Sequence, residues 1–219
     1  MMSIQIVINQ NQQTISFLEA KDYDSAIVSS SFALECLGSI PPIMSQQDEE
    51  ILHSGSSSSS SPEFSFDQCM LLTSIPEGDD QCGTLTFMYN RAILLPSNVT
   101  DHGIITPILI FNAALAHHLA AMRKDERSPQ YLDRAMQLYT LVYHSQDVME
   151  NPLFHFVVYN NAALIDLQIG GNQDTWKAYF RHLVHIYMIL VDESCISELR
   201  HIQGFLGSLL TTKPAAAAA

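Results

Sequence analysis

From Ile4 onward, apolar residues recur three or four positions apart. Ile4, Ile8, Ile15 and Leu18 lie at helical spacing, and beyond the polar stretch "AKDYD" the series Ala26, Ile27, Ser30, Ala33, Leu34 and Leu37 resumes it. The spacing predicts two helices joined by a tight turn, a first pair over 4–37. Gly38 and Pro41-Pro42 end the second helix, because glycine tolerates a left-handed cap and proline cannot continue the backbone ladder.

The pattern then lapses. Residues 38–64 contain a serine run and several acids with almost nothing to bury, so a disordered, Ser-rich acidic loop is expected. Two apolar runs follow, "FDQCMLLTSIP" and "GTLTFMYNRAILLP", separated by the turn-rich "EGDDQC". Leu85, Phe87 and Tyr89 alternate with Thr84, Thr86 and Met88, the period-two signature of a strand, which predicts a small β-hairpin insert over 65–96.

Helical periodicity returns at residue 104. Helices are expected over 104–123 and 130–146, a second pair, then over 152–169 and 173–191, a third pair, with a last helix at 193–210. Ser128-Pro129 and Asn151-Pro152 stand where helices should start, and Gly170-Gly171 where one should stop. A single helical domain over 1–212 is expected, and the run "PAAAAA" within 213–219 reads as a tail.

Two of the pairs share a unit. "NAAL" occurs at 112–115 and again at 161–164, and repeats of this size point to a helical array in which each pair covers its neighbour's apolar side. Small residues at Ala113, Ala114, Ala162 and Ala163 allow close helix approach, with Leu115 and Leu164 filling the seam. The stretch "KDYDSAIVSSSFAL", with Tyr23, Ala26 and Ala33, and the two "NAAL" units resemble the tetratricopeptide-repeat family. The family's glycine is replaced here by Thr14, Ala114 and Ala163. The layout, with "FMYNRAILL" before "FNAALAHHL", also resembles the divergent repeat proteins of diatoms.

The fold this implies is mainly α: stacked antiparallel helix pairs, a TPR-like α-solenoid. The resemblance further implies that another protein or peptide is bound along a concave face lined by the first helix of each pair. On this chain that face would present Phe111, Leu115, His118, Asn160, Leu164 and Gln168. Some members clamp a peptide carboxylate with an asparagine placed like Asn112 or Asn161 and a nearby cation; these helices supply no basic partner. Both asparagines are instead expected to hydrogen-bond neighbouring backbone.

Charge narrows the partner class. The formal net charge is −13, and between Asp22 and Asn90 eleven acids stand with no Lys or Arg, which disfavours nucleic acid. No uninterrupted apolar run reaches the ~18 residues of a membrane span, and the N-terminal stretch reads as neither signal nor transit peptide. An intracellular, cytoplasmic protein without membrane insertion is therefore expected. Cys36, Cys69, Cys82 and Cys195 are too scattered for a CxxC motif; only Cys69 and Cys82 flank a turn.

The histidines are the remaining chemistry. His117 and His118 are adjacent, hence about 100° apart on a helix, and cannot share a metal. His182 and His185 do share a face, with Asp166, Asp174 or His144 as third ligands only if folding gathers them. No catalytic signature such as GxSxG, a P-loop, GxGxxG or HExxH occurs. The expectation is a non-enzymatic interaction scaffold or adaptor with no cofactor, catalytic residue or metal. The alternatives are a metal-dependent hydrolase or oxidoreductase using His182 and His185, and a structural subunit pairing through the hairpin's edge.

Overall fold

The computed structural model describes residues 4–38, 88–144, 151–170 and 173–192. It is mainly helical, and the helices are α1 (Ile4–Glu19), α2 (Tyr23–Gly38), α3 (His102–Ala121), α4 (Ser128–Tyr143), α5 (Pro152–Gln168) and α6 (Gln173–Asp192). Of the loop expected at 38–64 only Gly38 is described, as the last residue of α2; the hairpin as far as Phe87, including the alternating Thr84 to Phe87, the helix at 193–210, the tail at 213–219 and Cys69, Cys82 and Cys195 lie outside the described residues.

Local chemistry fixes the helix starts. The Asp101 carboxylate accepts from the Gly103 amide at 2.8 Å ahead of α3, and the Asn151 side chain accepts from the Phe154 amide at 2.8 Å ahead of α5, where Pro152 fills the first helical position. Before α4 the capping falls to Asp125, which accepts from the Arg127 amide at 2.9 Å. Ser128, marked by its Ser-Pro dipeptide, is the first residue of that helix rather than its cap.

The helix-to-helix turns share one device. Lys21, after α1, has φ 58°; Lys124, after α3, has φ 57°; and Gly170, after α5, has φ 85°. Each residue's amide donates back three positions, Lys21 to Leu18 O, Lys124 to Ala121 O and Gly170 to Leu167 O, closing the helix with a left-handed cap. Glycine takes that conformation freely, whereas a lysine must hold its Cβ against the following carbonyl.

Each helix packs on the next in chain order, and α1 also reaches α3. The outer helices show one buried stripe: Ala135, Leu138, Tyr139 and Val142 on α4, and Leu183, Ile186 and Leu190 on α6. The inner helices are covered almost all round, with Ile104, Ile105, Ile108, Leu109, Phe111 and Ala113 to Ala116 of α3 all buried. That enclosure explains the composition of α3, the one described helix long and apolar enough to cross a membrane: 78% of its apolar window is buried against the rest of the molecule.

No strand occurs among the described residues. The described part of the expected hairpin, from Met88, is an extended segment that lies across the helices. Its burial does not follow period two: Tyr89, the neighbours Ala92 and Ile93, and the neighbours Leu95 and Pro96 are buried, Asn90 is exposed, and Arg91 is half-buried.

The turns give a direct check. Lys124→Gly, and separately Lys21→Gly, should raise the unfolding free energy by about 0.5–1 kcal/mol through relief of the left-handed backbone. Urea midpoints at fixed m-value read the change, and an unchanged or lowered midpoint would refute the left-handed caps.

Candidate functional site

An extended segment buried against helices must find partners for its own N–H and C=O groups, since water is excluded. Asparagine suits the task because its carboxamide carries a donor and an acceptor side by side, matching the peptide group. On α3, Asn112 Oδ1 accepts from the Ile93 amide at 2.8 Å, and Asn112 Nδ2 donates to the Ile93 carbonyl at 2.8 Å. On α5, Asn161 repeats the grip on Tyr89, accepting from its amide at 3.0 Å and donating to its carbonyl at 2.8 Å. Both side chains are buried, at 1% and 0% exposure.

Each grip is itself held in place. Asn112 Nδ2 also donates to Asn11 Oδ1 of α1 at 2.7 Å, and Asn11 Nδ2 donates to the same Ile93 carbonyl at 3.1 Å. Asn161 Nδ2 also donates to the Tyr139 hydroxyl of α4 at 3.1 Å. Three of the helix pairs' first helices thus converge on one extended chain, at positions four residues apart. These asparagines do bond backbone as their sequence context implied, although the backbone lies 19 and 72 residues away rather than nearby.

Between the two grips the core is aromatic. Phe111 sits at its hub, with ring centroids 6.2 Å from Tyr89, 5.8 Å from Tyr139 and 5.6 Å from Phe154. Of the six residues expected to face a partner, Phe111, Leu115, His118, Asn160 and Leu164 are therefore buried, and Gln168 alone is exposed. Tyr89 of the segment packs on Phe111, and His118 packs on Tyr139 of α4, burials that residue spacing along single helices could not reveal.

The twin histidines take separate surroundings. His117 is half-buried with its ring 5.8 Å from Tyr131. His118 is fully buried with its ring edge-on to Tyr139 at 6.1 Å, and among the described residues neither of its ring nitrogens has a hydrogen-bond partner. Burial pulls both imidazoles down to about 4, so they are neutral near pH 7.

A second cluster joins α4, α5 and α6. A cavity of 320 Å³ is lined by Met136, Tyr139, Tyr143, His144, Tyr159 and Tyr179 among others. His155 and His182 flank it: the Tyr143 ring is 5.3 Å from His155, and the Tyr159 ring 4.5 Å from His182. Burial raises Tyr159 to about 12, and lowers His155 to about 4 with help from His182, so neither of these two carries charge at neutral pH. His182 meets His155 across the helix interface, Nε2 to Nε2 at 3.5 Å, whereas His185 is exposed. Among the described residues no three His, Cys, Asp or Glu gather at metal-binding distance. The third ligands considered for His182 and His185, Asp166, Asp174 and His144, form no such group with them.

Compared with known proteins, the chain matches no family model, no curated protein and no solved structure.

Two outcomes follow from the geometry. Asn161→Ala removes both of its bonds to the buried peptide group of Tyr89 and should cost about 2 kcal/mol or more, measured by denaturant unfolding, because each lost buried hydrogen bond costs about 1–3 kcal/mol. For His118, the unfolded ring takes a proton near pH 6.5 while the folded ring resists to about 4. Stability is thus full above pH ~6.5 and falls by about 1.4 kcal/mol per pH unit down to about 4. His118→Phe should flatten that slope and raise stability at pH 7; an unaltered acid limb would refute it.

Proposed function

We propose that the chain is a non-enzymatic protein-binding scaffold, a TPR-like stack of antiparallel helix pairs whose first helices hold an extended peptide by its backbone. The observation that carries this reading is the paired grip of Asn112 on Ile93 and Asn161 on Tyr89. A carboxamide that pairs both sides of a peptide group recognises extended chain of almost any sequence. Successive helical hairpins, "NAAL" on the two inner helices and a left-handed residue at each hairpin turn support the repeat architecture. They fit the tetratricopeptide resemblance of the sequence.

In this reading residues 88–95 occupy the binding face in cis, and a partner's segment exchanges with them. Phe111, Leu115, His118, Asn160 and Leu164 then meet a partner when the segment leaves, and Gln168 marks the open edge of the face. A tethered segment competes at an effective concentration on the order of millimolar, so the resting affinity for a free peptide is low.

Exchange has a signature that general destabilisation lacks. A labelled synthetic peptide of residues 88–99 is titrated against the full chain by fluorescence anisotropy. Tyr89→Ala with Ile93→Ala in the chain weakens the resident segment and should tighten peptide binding at least tenfold. Adding Asn112→Ala and Asn161→Ala should abolish it. Damage to folding would move both variants the same way; equal binding by all forms, or binding by none, defeats the proposal.

A further inference from the structure

We propose that His155 and His182 form a two-imidazole site for a divalent transition-metal ion, of the zinc, copper or nickel class, that staples α6 to α5. The two Nε2 atoms approach to 3.5 Å from different helices, with ring centroids 5.2 Å apart and planes 61° apart. Two imidazole nitrogens that each lie about 2.0–2.1 Å from one tetrahedral ion are roughly 3.3–3.4 Å from each other. The pair therefore stands within a few tenths of an ångström of the bite that such an ion needs. Neutral imidazole nitrogen selects zinc, copper and nickel over calcium and magnesium, which prefer oxygen.

The setting fits a clip rather than a closed structural site. With no third His, Cys, Asp or Glu gathered among the described residues, the remaining coordination positions fall to water or a phenol oxygen. The rings of Tyr143 and Tyr159 pack on the imidazoles and restrict their rotation. Backbone stiffness comes from the helices, with His182 midway along α6 and His155 in the first turn of α5. A clip at this place matters because α6 packs chiefly on α5, so the last hairpin is the least anchored part of the described fold. Without metal, the same geometry is a hydrogen bond between two neutral rings, one donating and the other accepting.

The ion and the hydrogen bond separate experimentally. The full chain, purified without an affinity tag, is titrated with copper(II) and followed by electron paramagnetic resonance, and with zinc(II) by calorimetry. We expect one saturable site per chain, a copper spectrum with two nitrogen couplings, and a rise in melting temperature with zinc. His182→Ala, on the half-exposed side, should leave the circular dichroism spectrum intact, remove one nitrogen coupling and weaken binding at least tenfold; His155→Ala should do likewise. His144→Ala and His185→Ala should change affinity less than twofold. Absence of saturable binding up to millimolar metal overturns the proposal. So does binding that survives His182→Ala or depends on His185.

Discussion

The structure turns on one requirement: the peptide groups of an extended segment, buried where no strand runs beside it among the described residues, have to be paired. Tyr89 and Ile93 lie with their backbones among helices, a place where unsatisfied N–H and C=O groups are strongly unfavourable. Asn161 and Asn112 meet that requirement, and Asn11 and Tyr139 complete their hydrogen bonding. Four helices are thereby referred to a single strip of chain. The segment orders the helices as much as the helices order it.

Around that strip the interior divides by chemistry. Toward α3 and its neighbours it is aromatic and aliphatic, organised on Phe111, and even His118 is present there as an uncharged ring. Toward α6 it becomes a tyrosine and histidine cluster around a cavity, with polar tips on apolar bodies. The ion pairs that tie the turns together, such as Arg123 to Asp24 at 3.2 Å, are exposed and add little to stability. Cohesion among the described residues resides in burial and in the buried amide network.

Much of this was legible in the residues. Helical spacing from Ile4 to Leu37 and from 104 to 191, with Pro129, Pro152 and Gly170 as punctuation, placed every described helix within a few residues. The two asparagines of "NAAL" were recognisable as backbone-bonding groups. What could not be read was their target, because a hydrogen bond across 72 residues leaves no local periodicity. The same limit hid the meeting of His155 with His182, while His185, one turn along, looked the better mate on helical geometry alone. Tyr89 shows a different limit: the alternation read around it falls mostly on residues outside the described ones, and strand pairing is a property of a neighbour and not of the segment.

The amide grips take hold of peptide groups and ignore what hangs from them, with a fixed four-residue interval between. Identity along this strip is accordingly free to drift so long as the inward positions stay apolar, whereas its length is not. One residue gained or lost between the two holds would carry one of the two gripped peptide groups out of reach of its asparagine. Across any set of descendants, this stretch should preserve its count of residues more faithfully than their names.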